Sequence, residues 1–264
     1  MKRFICGAAL AAALVVTSVG SAFAAEGLQF GVRGGYNYNL FTITPPGGYS
    51  FQSDNGMGGE LGLSIKYAVV PDLISVVVEP TFGYRTIGSW SYDRSYLSTE
   101  QVWDISDIGN PHFETKLVTV DASQTYGLSE FRVTIPILAQ YTYEDKYYGM
   151  AGVQVGIPIA TTLDYKYEAS WPGAKDTLKT ESSKTLSEMD WTEWNFKMER
   201  ASVDVDVVIG AGYMFAPNFG IDIRYTYSFI EPLKYTIQYL GVPIPGLSFP
   251  TQIMSAGLNL SFYF

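Results

Sequence analysis

The strongest constraint in this sequence is a period of two. Val203, Val205, Val207, Ile209, Ala211, Tyr213 and Phe215 form one row, and Asp204, Asp206, Val208, Gly210, Gly212 and Met214 fill the gaps. Successive side chains of a strand point to opposite faces, so this segment has one apolar face and one polar or small face. After Pro217 and Asn218 the pattern restarts with Phe219, Ile221, Ile223, Tyr225, Tyr227 and Phe229 against Gly220, Asp222, Arg224, Thr226 and Ser228, which predicts a hairpin with a short turn. Six more segments, 28–40, 57–69, 74–88, 131–143, 147–161 and 253–264, alternate in the same way. The total is eight.

The connections between these segments are unequal. Short turns fall at Pro71-Asp72, Glu144-Asp145-Lys146 and Ala216-Pro217-Asn218, whereas 44–56, 92–127, 163–201 and 230–251 are long, far above the usual median of about 4 to 6 residues. Short turns at one end and long loops at the other are the asymmetry of a transmembrane β-barrel. The segments are long enough to cross, since about 9 to 11 tilted residues span the hydrocarbon. Tyrosines and phenylalanines cluster near the segment ends, where aromatic girdles would lie. Residues 25–264 contain no run of 18 apolar residues that a membrane-spanning helix would need.

The first 24 residues are set apart. Lys2 and Arg3 precede an apolar stretch from Phe4 to Val19, and Ala22-Phe23-Ala24 is an A-x-A cleavage site, which together predict an exported precursor cut after Ala24. The expected organisation is therefore a signal peptide over 1–24 and one all-β domain over 25–264, an eight-stranded antiparallel up-and-down barrel in the outer membrane. Cys6, the only cysteine, leaves with the leader, so no disulfide or thiol chemistry is expected. Loss of Lys2 and Arg3 from 17 basic residues leaves 15 against 26 acidic ones, a net of −11. Such a chain is repelled by phosphate backbones, and no nucleic-acid partner is expected.

The apolar rows carry no Lys, Arg, Asp or Glu. The opposite rows hold Arg33, Lys66, Arg85, Arg132 and Arg224 with Glu60, Glu79, Asp204, Asp206 and Asp222, five charges of each sign. An eight-stranded barrel has room inside for little more than its own side chains. Ten charges there must pair, because an unpaired buried charge is strongly destabilising. The expected lumen is a closed, ion-paired plug, with a gated narrow pore or small-ligand conduit as the alternative.

These residues carry a resemblance. Phe30-Gly31-Val32-Arg33-Gly34-Gly35-Tyr36-Asn37, Val78-Glu79-Pro80-Thr81-Phe82-Gly83-Tyr84, Ile135-Pro136-Ile137-Leu138 followed by Tyr141, and Gly257-Leu258-Asn259-Leu260-Ser261-Phe262-Tyr263-Phe264 resemble the small bacterial outer-membrane barrel families, in particular the PorT-like barrels and, more loosely, OmpX-type barrels. The last strand also resembles the assembly signal of such barrels, with Leu258, Leu260, Phe262 and the terminal Phe264 in one row. The resemblance implies insertion by the barrel-assembly machinery as a transient partner, and surroundings of outer-membrane lipid and lipopolysaccharide.

Chemistry finds little to work with. His112 is the one histidine. With Glu114 and a serine such as Ser106 it imitates the site of outer-membrane lipid-modifying enzymes, but the middle of a long loop offers no rigid strand to hold a general base. No catalytic residue is expected, and the lipid-modifying enzyme is the second alternative. Asp104, Asp107 and Asn110, or Glu188, Asp190 and Glu193, lack the spacing and glycine of a calcium loop, so no metal and no cofactor are expected. The 163–201 loop holds Trp171, Trp191 and Trp194, which read equally as an interaction surface for an extracellular or envelope protein and as a loop packing on itself. Within it, 184–198 reads as a short amphipathic helix or an extra hairpin. The three prolines of 241–250 suggest a semi-rigid apolar lid.

Overall fold

A computed structural model describes residues 27–43, 52–104, 112–172, 177–189, 196–239 and 242–264. The leader lies outside them. Among the described residues twelve strands follow one another: β1 (Leu28–Ile43), β2 (Gln52–Val70), β3 (Ile74–Val78), β4 (Thr81–Asp104), β5 (His112–Tyr143), β6 (Tyr147–Ser170), β7 (Leu178–Thr185), β8 (Phe196–Arg200), β9 (Asp204–Ala216), β10 (Phe219–Ser228), β11 (Leu233–Tyr239) and β12 (Val242–Tyr263). A short 3₁₀ turn, Leu186–Glu188, is the only helical element among the described residues.

β3 and β4 act as one wall strand broken at Glu79-Pro80. Proline has no N–H to give the ladder, yet pairing runs across the break, with Leu63 N donating to Pro80 O (3.0 Å) and Glu79 N to Pro136 O (3.1 Å). The order β1, β2, β3 with β4, β5, β6, β9, β10, β12 then closes on itself, because β12 also pairs with β1 from Gly31↔Tyr263 to Ile43↔Thr251. That is the eight-stranded antiparallel barrel, and at the end that carries the short turns its wall strands begin and end close to where the alternation places them.

Exposure follows the alternation. On β5 the odd positions from Phe131 to Tyr143 face out and the even positions from Arg132 to Gln140 are buried. Leu61, Ile159, Ile223 and Leu260, between 56% and 65% exposed, belong to this outer surface. At ~3.3 Å per residue the span from Phe131 to Tyr141, tilted by ~40°, is roughly 25 Å tall, the height of a lipid-facing band. Aromatic pairs edge it: Phe82 stacks on Phe131, Tyr147 meets Tyr213, and Phe219 meets Phe262 with centroids 4.6 Å apart.

The turns are as short as expected. Glu144 (φ 51°) and Asp145 (φ 55°) both adopt the left-handed conformation, which matches the twist of a tight hairpin and suits Asn-Gly better than two acidic residues. Asp145→Gly is expected to stabilise the barrel by about 1 kcal/mol, seen as a higher denaturant midpoint of the folded gel band.

Above the band the structure departs from the sequence reading. Apart from 105–111, which lie outside the described residues, the 92–127 segment is strand: β4 and β5 continue as a pair from Arg85↔Glu130 to Asp104↔His112. β6 follows to Ser170 and takes β7 as a neighbour. Of 184–198, read as an amphipathic helix or an extra hairpin, residues 190–195 lie outside the described residues; the rest are the end of β7, the 3₁₀ turn and the start of β8, and β8 pairs with β11. The proposed proline lid at 241–250 is strand too, since β12 runs through it and pairs with β11 from Lys234↔Pro250 to Tyr239↔Val242. Backbone groups satisfied by a neighbouring strand need no side-chain alternation, so strands persist where the apolar pattern stops.

Two bulges mark the change. One lies between Thr86 and Gly88 on β4, the other between Phe131 and Arg132 in the β5–β6 pairing. A bulge shifts which residues face inward, and beyond these the interior turns apolar. Phe41, Ile87, Trp90, Tyr126, Leu128, Leu163, Leu186, Met198, Leu233 and Ile253 form one buried cluster, with Trp90 stacked on Tyr126 at 5.4 Å.

Candidate functional site

The lumen holds the charged residues in two layers. Nearer the periplasmic turns, Arg33 pairs with Glu60 (2.7 Å) and Glu79 (3.4 Å), and Arg224 with Glu79 and with Asp222 (2.6 Å). Asn259 joins the two arginines' partners, accepting from Arg33 (2.6 Å) and donating to Asp222 (2.8 Å). Ser64 donates to Glu79 and Tyr148 to Asp222. Val77, Leu138, Tyr148, Met150 and Val208 make a small apolar cluster against this layer.

The second layer lies towards the extracellular end. Arg85 pairs with Glu130 (2.6 Å) and Asp204 (3.4 Å), and Arg132 stands 3.7–3.8 Å from Glu130, Asp204 and Asp206. Asp206 accepts from Ser228 (2.6 Å) and Gln154 (3.1 Å). A further guanidinium enters from outside the ring: Arg200 of β8 donates to Glu130 (2.9 Å) and Asp204 (2.5 Å). Between the layers lies a cavity of about 40 Å³ bordered by Arg33, Glu60, Arg85, Arg132 and Arg224. That is space for a few water molecules.

Nine of the ten sequence-predicted lumen residues therefore meet in these layers, and the tenth does not. Lys66 faces inward as its parity requires, but its ammonium lies over the Tyr263 ring, 5.9 Å from the centroid, and makes no salt bridge with the acidic groups of either layer. Parity fixes a side chain's face and says nothing about the depth of its partners. Two members were missed. Glu130 sits one residue above the segment read as a strand, in the same inward row as Arg132 and Thr134. Arg200 belongs to Phe196-Lys197-Met198-Glu199-Arg200, where period two was present but short. With both included, the two layers count five arginines against six carboxylates.

The other predicted residues are distributed as follows. Leu258, Leu260 and Phe264 face outward, 43–56% exposed, and half-buried Phe262 packs between Phe219 and Phe264. Trp171 is half-buried and packs on Val120, Ala122 and Ala169, so it serves the fold of the extension and does not project. Trp191 and Trp194 lie outside the described residues, as does Ser106. His112 opens β5 opposite Asp104 at the hairpin tip, on a strand and not in the irregular loop expected for it. Among the described residues no group of three His, Cys, Asp or Glu side chains could hold a metal ion.

A closed antiparallel ring with an apolar band outside and charges inside is a transmembrane β-barrel of the outer membrane. A family model described as outer membrane protein beta-barrel domain matches residues 21–232, which is 212 of 264 residues, and the chain belongs to that family. Solved structures similar to it include Ail, the attachment invasion locus protein of Yersinia pestis, crystallised with the heparin analogue sucrose octasulfate (12% identity, 90% of this chain and 99% of that one, TM-score 0.36). Neisserial surface protein A is another (12%, 90% and 100%, TM-score 0.36), and the translocator domain of the autotransporter NalP from Neisseria meningitidis a third (7%, 99% and 98%, TM-score 0.27). No curated protein sequence matches the chain.

Proposed function

We propose that this protein is a non-enzymatic outer-membrane barrel with a closed, ion-paired lumen, and that it acts through its extracellular part on another surface or envelope component. The finer kinship to PorT-like or OmpX-type barrels is part of the same reading. One observation carries it. The strands do not stop at the membrane: β4 and β5 add roughly 50 Å of strand beyond the bulge at ~3.3 Å per residue, flanked by β6 and β7. A barrel serving only as an anchor has no use for so much ordered sheet. Leu97 and Leu117 stand exposed on it (71% and 74%), and the same sheet carries polar groups such as Glu168, whose carboxyl is held below its usual range by hydrogen bonds from Lys179 and Lys166. Lipopolysaccharide at the barrel wall and a protein on the extension are the partners this surface suits.

The layered charges support the closed lumen. In planar bilayers the refolded protein, checked for folding by its heat-modifiable gel mobility, is expected to show no conductance steps. Stable steps would overturn the plug and move a narrow channel to the front. With a silent barrel, capture of a defined envelope partner by the full chain, lost when 92–127 is shortened to a tight turn, tests the surface role. Retained capture would overturn it.

A further inference from the structure

At its extracellular level the barrel wall is one cation short. Arg85 and Arg132 face Glu130, Asp204 and Asp206, two charges against three. The third guanidinium belongs to Arg200, on a strand that is no part of the ring. Its Nη1 and Nη2 donate to the two oxygens of Asp204 (2.6 and 2.5 Å) and its Nε to Glu130 (2.9 Å). This is the planar, forked recognition that suits a guanidinium and not an ammonium.

The setting of Arg200 is as telling as its partners. Among the described residues β8 pairs only with β11, and β11 pairs in turn with the upper part of β12. Both strands leave the ring through short links, 201–203 into β9 and 229–232 out of β10. Ala201 N donates to Pro232 O (3.0 Å), and Arg200 Nη1 also donates to Pro232 O (2.8 Å). One side chain thus touches β5, β9 and both links. Beside the β11–β12 ladder and the bonds that Thr251 makes with the Leu233 backbone, the pair is held by apolar packing, where Met198 and Leu233, 3% and 1% exposed, sit in the cluster with Ile87, Trp90 and Leu128.

We propose that Glu130 and Asp204 form a guanidinium socket in the mouth of the barrel, that Arg200 is its built-in ligand, and that β8 with β11 is a lid hinged at 201–203 and 229–232 and latched by this side chain. Lifting the lid withdraws the positive charge from two buried carboxylates, a penalty that adds to the loss of apolar packing and of the β11–β12 pairing. Any cation that fills the socket in place of Arg200 relieves that penalty. Lid position and occupancy of the socket by a guanidinium group are therefore linked, each shifting the other by the same factor.

A cysteine reporter tests this. The chain's one cysteine is Cys6, so in the refolded mature protein Met198→Cys gives a single thiol under the lid, and Leu138→Cys, in the lower apolar cluster, a control within the barrel. Adding Arg200→Gln is expected to speed maleimide labelling at position 198 by about tenfold or more, with labelling at 138 and the heat-modifiable band unchanged. In an Arg200→Ala background, millimolar methylguanidinium is expected to slow labelling at 198 again, while methylammonium at the same concentration does so less. Arg200→Lys keeps the charge without the fork and is expected to fall between. An unchanged rate at 198 overturns the latch. Equal acceleration at 198 and 138, or loss of the folded band in Arg200→Lys as well as Arg200→Gln, makes Arg200 part of the barrel's own frame. Failure of methylguanidinium to slow labelling overturns the socket.

Discussion

Replacing Glu79 with alanine is expected to cost the folded barrel about 3–5 kcal/mol, the penalty for removing one member of a buried ion pair. Glu79 is 1% exposed and is shared by two guanidinium groups, Arg33 and Arg224, with Ser64 as a further donor. Its loss leaves two buried cations with reduced compensation. Glu60 gives the contrast. It is more exposed and answers one guanidinium, Arg33, which keeps Asn259 and Glu79, beside a hydroxyl bond accepted from Thr81 (3.3 Å), so Glu60→Ala is expected to cost about 1.5–3 kcal/mol. Urea titrations of the folded gel band read both, and equal losses would contradict the assignment of Glu79 as the centre of the lower layer. None of this means that the charges make the barrel stable. Breaking a buried pair is expensive even where an apolar replacement of the whole network would be neutral.

Ile223→Arg and Leu117→Arg are expected to behave oppositely although both positions look equally exposed, at 65% and 74%. Ile223 lies on the outer row of β10 within the lipid-facing band, where a cation costs about 2–4 kcal/mol near the midplane. Leu117 lies on the β5 extension, opposite Thr99 and far beyond the bulges, where an exposed substitution changes stability by no more than about 0.5 kcal/mol. The pair places the membrane boundary on the molecule. Similar costs at both positions, measured by the same titration in lipid vesicles, would show that the boundary drawn from the bulges and aromatic pairs is misplaced.

How much of this was legible follows from what imposes a pattern. Lipid on one side and a charged interior on the other force period two upon every wall strand, and so the eight segments, the three short turns and nine of the ten lumen charges could be read directly. Above the membrane both faces of β4 and β5 meet water over much of their length, and a run such as Ser91-Tyr92-Asp93-Arg94-Ser95 carries no alternation to read. There the strands exist because each backbone is paired by its neighbour, which is information held in another part of the chain. Arg200 was hidden for a related reason. Its strand is five residues long, and the charges it answers, Glu130 and Asp204, are 70 and 4 residues away in sequence, so no local window contains the site. Lys66 failed in the other direction, since its face was right and its depth was not.

The bulges at Thr86/Gly88 and Phe131/Arg132 divide single strands between two solvents. Below them, outside the small inner cluster around Leu138, the apolar side chains point at lipid or detergent; above them Ile87, Trp90, Leu128 and Leu163 turn inward, away from water. The large positive heat capacity change of unfolding comes from exposing apolar groups to water. In this protein that signature is expected to arise mainly from the extracellular third, because the lipid-facing rows exchange one apolar surrounding for another. The two parts should accordingly respond differently to cooling. The packed extension weakens at low temperature as any water-soluble core does, while the belt beneath it is indifferent to the same change.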